Sequence, residues 1–168
     1  MREPISDYHP DTNINEIAER SDDPRQSPEV GTLRFVVQKH DATRLHYDFR
    51  LEYEGALKSW AVTKEPTGKV GSRRLAVQVD DHPLDYADFE GTIPDGEYGA
   101  GSVVLWDSGT WTPDGDPGRG FEQGKITFEL AGSVMQGRWT LVRFRQCGRP
   151  DARKTDWLLI KRSDVSKR

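Results

Sequence analysis

From His46 the chain alternates: His46, Asp48 and Arg50 fall on one parity, and Tyr47, Phe49 and Leu51 on the other. A β-strand sends successive side chains to opposite faces. The segment therefore reads as a strand with an imidazole, a carboxylate and a guanidinium in a row on one side. Three large apolar groups anchor its other side. The same period recurs along the chain between glycine, proline and aspartate turns. Leu33 to His40 reads as a first strand, and Ala56 to Lys64 follows the Glu54-Gly55 turn. Arg74 to Asp80 alternates with Leu75, Val77 and Val79 inward and Arg74, Ala76, Gln78 and Asp80 on the other side. If that extended backbone persists, His82 joins the Arg74 face. Ser102 to Trp106, Lys125 to Leu130, Arg138 to Phe144 and Trp157 to Lys161 supply further strands. Asp107-Ser108-Gly109 predicts a turn before a new strand at Thr110, Asp114 to Gly120 a loop, and residues 81–91 an ordered loop with one helical turn. The expected fold is mainly β: a small, closed or nearly closed antiparallel barrel of about eight short strands.

Composition supports that reading. Apolar residues make up 34% of 168, low against the usual near-half, so a modest core is expected beside much loop sequence. Residues 1–32 are polar and carry Pro4, Pro10, Pro24 and Pro28. They are expected to form a largely flexible arm, with residues 33–164 as the barrel and 165–168 as a tail. One short helix, Asn13 to Arg20, is expected in the arm. A single cysteine, Cys147, excludes an internal disulfide framework and fits a reducing compartment. No run reaches membrane-spanning length and the start has no apolar leader, so a cytoplasmic protein is expected.

The net charge of −4 argues against a generic polyanion binder, but it is unevenly placed. Residues 1–30 carry −5, 31–79 carry +4, 80–135 carry −10 and 136–168 carry +7. Two basic blocks flank an acidic one. Where they converge they would make a local anion site despite the acidic total.

His40 sits one short turn upstream of the His46 strand, and the chain has only four histidines. Two neutral imidazoles and a carboxylate leave coordination positions open on a divalent ion, and they suit Mn²⁺, Fe²⁺ or Zn²⁺ better than Mg²⁺. Arg50, one pleat further on, offers two parallel donors to phosphate oxygens. Lys64 and Arg74 are candidate phosphate contacts. His82 is a candidate acid or charged donor, and Tyr86 a hydroxyl donor to the same anion. The five tryptophans, in or beside expected strands, read as core rather than base-stacking groups. Two enzyme classes compete on these residues alone. One is metal-assisted phosphate chemistry; the other is a non-haem Fe(II) oxygenase, whose facial triad is also two histidines and a carboxylate. A folded but inactive module that binds nucleic-acid ends is a third reading.

The run Phe35-Val36-Val37-Gln38-Lys39-His40-Asp41-Ala42-Thr43-Arg44-Leu45-His46-Tyr47-Asp48-Phe49-Arg50-Leu51-Glu52 resembles the opening of the 3′-phosphoesterase module of bacterial ligase D. The likeness continues in order through Leu57 to Val62, Arg74 to Val77, Asp81 to Gly91, Ile93 to Gly101, Trp139 to Arg143 and Trp157 to Lys161. It implies a small β-barrel enzyme that depends on Mn²⁺, or on Co²⁺ or Zn²⁺, and heals nucleic-acid 3′ ends in DNA repair by non-homologous end joining. Such enzymes remove a 3′-terminal ribonucleoside to leave a 3′-phosphate, then hydrolyse that phosphate to a 3′-hydroxyl. The resemblance assigns the metal to His40, His46 and Asp48. It assigns catalysis and phosphate binding to Arg50, His82 and Tyr86, with Gln38, Lys64 and Arg74 in support. The family's N-terminal arm has an Arg-Asp pair and a later Glu. Asp23 and Glu29 correspond, but Asp22 stands where the arginine is expected. No polymerase or ligase module is present, so the resemblance implies a stand-alone member working beside separate ligase, polymerase or Ku proteins.

Overall fold

The computed structural model describes residues 32–97, 99–144 and 156–164. The expected arm with Asp22, Asp23 and Glu29, the basic loop with Cys147, and the tail lie outside the described residues. Nine strands form one antiparallel sheet: β1 (Leu33–Asp41), β2 (Leu45–Tyr53), β3 (Ala56–Val62), β4 (Arg73–Pro83), β5 (Gly91–Ile93), β6 (Gly101–Pro113), β7 (Lys125–Gly132), β8 (Gln136–Arg143) and β9 (Asp156–Lys161). Eight of them close a barrel in the order β1-β2-β3-β4-β9-β8-β7-β6, with β6 pairing back onto β1. β5 is an extra short strand on the first residues of β6. Closure removes the sheet edges that an open sheet this small would expose.

Period-two patterning fills the barrel. Phe35, Phe49, Leu51, Trp60, Trp111, Phe128, Trp139, Leu141, Trp157 and Leu159 are almost wholly buried in one cluster. Four of the five tryptophans are in this core, and Trp106 packs against it edge-on to Tyr47. Few but large aromatic groups compensate for the low apolar content. The Glu54-Gly55 turn has positive φ at both residues (52° and 83°), the conformation of a two-residue hairpin. It fixes the β2–β3 register at Tyr53↔Ala56 and hence Arg50↔Ser59.

Four sequence expectations differ from the fold. First, Asp107-Ser108-Gly109 is no turn; β6 runs through it, and Trp106 is the extra residue of a bulge opposite Val37 and Gln38. The turn-like residues serve packing instead. The buried Asp107 carboxylate accepts the backbone N–H groups of Ser133, Val134 and Met135 at 2.7–3.1 Å. A Cβ at Gly109 would collide with the Ala131 carbonyl. Second, part of the expected loop 114–120 is a helix, α1 (Pro117–Gln123), capped by Asp116 on Gly118 N–H and ended by Gly124 at φ 88°. Third, β4 turns Ala76 into the core and Leu75, Val77 and Val79 outward, because Ala76 pairs with the core residue Trp157. Fourth, β5 is a strand that the sequence reading does not anticipate. The helical turn expected in 81–91 is a 3-10 turn, Leu84–Asp88.

Candidate metal and phosphate site

The site lies on the outer wall of the barrel, across β1 to β4. On β2, Tyr47, Phe49 and Leu51 point into the core, so His46, Asp48 and Arg50 stand on the opposite face. Pairing sets His40 across from His46 and Gln38 across from Asp48 on β1. On the other side, the small residues Ala61 and Ser59 of β3 stand opposite Asp48 and Arg50 and leave room above them. The result is a cavity of about 330 Å³ lined by His40, His46, Asp48, Arg50, His82 and Tyr86, with Ala42, Ala61, Val79, Ile93 and Gly99 completing its wall. A wider, more open hollow of about 630 Å³ lies around Tyr53, Lys58 and Phe121. Among the described residues it holds no clustered metal-ligand set.

One potential ligand atom each from His40, His46 and Asp48 lies within 4.8 Å of the other two. His40 Nδ1 is 3.3 Å from Asp48 Oδ2, and His46 Nε2 is 3.2 Å from Asp48 Oδ1. The far nitrogen of each ring faces a backbone carbonyl: His40 Nε2 is 2.6 Å from Gly99 O, and His46 Nδ1 is 3.1 Å from Arg44 O. A carbonyl only accepts, so each far nitrogen carries a proton. In the neutral rings, the two lone pairs then point at a carboxylate. Such an acceptor cluster needs a cation, either a proton or a metal ion. Carbonyl-oriented imidazoles are the usual outer-shell arrangement of metal-binding histidines. The donor set therefore fits a divalent metal. The proton alternative draws on the same contact: the hydrogen bond to Asp48 holds His46 above the ordinary histidine range, despite burial. Asp48 is pushed up by burial, but the His46 hydrogen bond and the charge of Arg50 outweigh this and hold it below its usual value.

Arg50 is 3% exposed. Its Nε donates to Gln38 Oε1 at 2.6 Å, and Nη1 to Ser59 Oγ at 2.8 Å; Nη2 lies 3.4 Å from Asp48 Oδ2. Gln38 also donates to Tyr86 O (2.8 Å) and Phe89 O (3.2 Å). One buried amide thus ties the guanidinium to the 3-10 turn that carries Tyr86. The Tyr86 ring stacks on Phe89 with centroids 4.9 Å apart and lies 5.0 Å from the Arg50 guanidinium carbon. Burial raises the Tyr86 pKa, opposed by Arg50, so the phenol stays a proton donor.

His82 reaches the cavity by a bulge. Pairs Leu57↔His82 and Ser59↔Val79 place one extra residue on β4. That residue reverses the parity and moves His82 from the Arg74 face to the Val79 face, correcting the sequence expectation. His82 Nδ1 lies 3.0 Å from Asp80 O and 3.2 Å from Arg50 Nη1. Its Nε2 has no hydrogen-bond partner among the described residues. Burial, then Arg50, lowers its pKa.

Seven of the nine sequence-predicted residues thus come together. His40, His46, Asp48, Arg50, His82 and Tyr86 line the cavity, and Gln38 braces it. Lys64 and Arg74 do not line it. Lys64 is exposed after β3. Arg74 shares the parity of Ala76 and donates to Glu65 O at 2.9 Å. Sequence reading missed Ser59, Ala61, Val79, Ile93 and Gly99. The two-residue Glu54-Gly55 turn was a usable signal for Ser59, because it sets Arg50↔Ser59. Gly99, whose carbonyl orients His40 from a φ of 78°, left no such signal.

Residues 38–143 match the family model described as the DNA ligase D 3′-phosphoesterase domain. This chain belongs to that family. It is 50% identical over 161 residues to the multifunctional non-homologous end joining protein LigD of Pseudomonas aeruginosa, covering 96% of this chain and 19% of that protein. It is 48% identical over 112 residues to the LigD of Mycobacterium bovis, covering 65% of this chain and 14% of the relative. The LigD of Mycolicibacterium smegmatis is 42% identical over 127 residues, or 71% of this chain and 17% of the relative. The chain thus spans less than a fifth of the length of these LigD proteins. These relatives are non-homologous end joining proteins by name, and the candidate metal-ligand cluster and Arg50 lie within the matched ligase D phosphoesterase segment.

Proposed function

We propose that this chain is a Mn²⁺-dependent 3′-phosphoesterase that heals DNA ends in non-homologous end joining. It removes a 3′-terminal ribonucleoside to leave a 3′-phosphate, and hydrolyses a 3′-phosphate to a 3′-hydroxyl. The observation that carries this reading is the shared cavity. Three converging candidate metal ligands adjoin an arginine, a histidine and a tyrosine. His40, His46 and Asp48 hold the metal; Co²⁺ or Zn²⁺ suits the same donors. Once bound, the metal supplies Lewis acidity at the phosphate and acidifies water. Arg50 binds non-bridging oxygens and offsets charge that builds in the transition state. Its buried bonds to Gln38 and Ser59 hold it ready without reorganisation. With Arg50 held in place, His82 Nδ1–H stays directed at Asp80 O. Protonated at Nε2 as well, His82 donates to a phosphoryl oxygen or gives its proton to the departing oxygen. The Tyr86 hydroxyl orients the phosphate. Lys64 and Arg74 act on phosphates outside the cavity.

Residues 33–164 form the phosphoesterase unit, with 1–32 as an arm and 165–168 as a tail. It acts in the cytoplasm at nucleoid DNA, together with end-joining ligase, polymerase and Ku functions. The test is a 5′-labelled primer-template ending in one ribonucleotide or a 3′-phosphate, incubated with and without Mn²⁺ and resolved by length and end group. Stepwise conversion to a 3′-hydroxyl only with Mn²⁺ is expected. Recovery of both ends unchanged overturns the reading, and turnover that requires O₂ and Fe(II) would point to an oxygenase.

A further inference from the structure

Among the described residues, no hydrogen bond fixes the direction of the Tyr86 ring, because its hydroxyl has no partner there. The torsion that sets a tyrosine ring plane is itself broad. The backbone beneath the ring is well moored. Asp88 accepts from Arg34 Nη2 at 3.0 Å, Gln38 Nε2 donates to Tyr86 O and Phe89 O, and the Glu90 carboxylate accepts Leu105 N–H at 2.7 Å. None of these ties ends on the Tyr86 side chain. The ring is held by contacts on its surface instead. It packs against the small cluster of Val36, Leu57 and Ala87. The Arg50 guanidinium carbon lies 5.0 Å from its centroid, the His82 ring lies at 5.0 Å and 46°, and the Phe89 ring at 4.9 Å and 15°. Arg50 and His82 line the cavity; Phe89 stands outside its lining. Half-buried Phe89 also belongs to neither apolar cluster of the barrel. Its backbone N–H closes the 3-10 turn on Tyr86 O at 3.1 Å.

From these contacts, and resting on the reading of the ligand as a phosphate ester, we infer that Phe89 is a positioning residue for the reaction. It fixes the plane of the Tyr86 ring, and with it the direction of the hydroxyl that orients the phosphate. Arg50 and His82 each take a phosphate oxygen as partner when substrate arrives, so their hold on the ring changes at that moment. The Phe89 stack faces no such exchange. Offset, near-parallel rings are a preferred aromatic geometry, and an anion in the cavity leaves this pair unchanged. Aliphatic packing against Val36, Leu57 and Ala87 places the ring without selecting its plane.

A double-mutant cycle with two readouts tests this, at temperatures where every variant is folded. The first readout is phosphate release from a labelled primer-template ending in a 3′-phosphate, with Mn²⁺, in the wild type, Phe89→Leu, Tyr86→Phe and the double variant. Phe89→Leu should lower turnover about tenfold, the rate equivalent of one lost ring pair. It should leave Mn²⁺ affinity unchanged and add no further loss in the Tyr86→Phe background. Phe89→Tyr keeps the ring and should restore turnover. The second readout is the affinity of the metal-free protein for inorganic phosphate, followed by NMR at the Arg50 and His82 side chains. The same non-additive pattern is expected there. Additive losses from the two substitutions, or a Phe89→Tyr variant as slow as Phe89→Leu, overturn the inference. Inorganic phosphate that moves neither side-chain signal in the wild type also overturns it, since no anion is then present for Tyr86 to orient. If the wild type binds phosphate but leaves 3′-phosphate ends untouched, the functional reading fails instead, and the affinity cycle alone decides whether Phe89 acts through Tyr86.

Discussion

Arg50 lies almost fully buried beside the Asp48 carboxylate and makes side-chain hydrogen bonds to Gln38 and Ser59. A buried arginine with that many partners is pre-aimed, and its removal has two separable effects. Arg50→Ala should lower turnover of a 3′-phosphate end by about 10²–10³ while Mn²⁺ binding is retained. Leaving Gln38 and Ser59 without their partner should cost about 1–3 kcal/mol in denaturant unfolding. Wild-type turnover would remove Arg50 from the phosphate site. His82 gives a pH test. Burial, then the Arg50 charge, lowers its pKa, so the unfolded chain takes up this proton at a higher pH than the folded one. The stability contribution is present above the ordinary histidine range and is lost as pH falls through it. Arg50→Ala should raise the His82 midpoint in an NMR titration, and an unmoved midpoint contradicts the electrostatic contact.

The extra residue in β4 decides which wall of the barrel His82 serves. Deleting Asp80 should restore unbroken pairing with β3 while leaving His82 opposite Leu57, two places from Val79 and on the same face. Folding and Mn²⁺ binding should persist with phosphate release lowered but not abolished, because the Asp80 carbonyl beside His82 Nδ1 is lost; complete loss with metal binding intact would show that sharing a face does not suffice to place His82. On β6, Gly109→Ala drives a methyl group into the Ala131 carbonyl of β7. It should cost about 1–3 kcal/mol, read as a fall in melting temperature with no specific loss of Mn²⁺ affinity at temperatures where the protein is folded. These two strands also show where sequence reading stops. Alternation alone placed His46, Asp48 and Arg50 on one face and Tyr47, Phe49 and Leu51 on the other, because side-chain parity is local. A bulge adds one residue through pairing with a distant strand, so neither the His82 reversal nor the length of β6 was visible locally. Asp107-Ser108-Gly109 misled for a related reason. Aspartate and glycine mark turns, but here a buried carboxylate holds the distant β7–β8 turn and a bare Cα admits β7.

Closure of eight short strands lets a chain with modest apolar content keep a full interior and still present polar chemistry outside. Large aromatics occupy the inner parity, and the outer parity of β1 to β4 is left for the site. Strand number and barrel class were legible from repeated short alternation between turns. The order β4-β9-β8-β7 was not, because nothing local specifies which distant strands meet. The metal cluster was legible as residue types at close spacing, whereas the carbonyls of Gly99 and Arg44 that orient both imidazoles depend on loop backbone. The most direct test takes metal-stripped protein, a 5′-labelled primer-template ending in a 3′-phosphate, and a Mn²⁺ titration of the wild type and of Asp48→Ala. Conversion to the 3′-hydroxyl should be absent without metal, rise to a plateau at a single equivalent per wild-type chain, and stay absent in Asp48→Ala at every Mn²⁺ concentration. Conversion by the metal-stripped protein, or wild-type conversion by Asp48→Ala, would contradict the metal site on which this account rests.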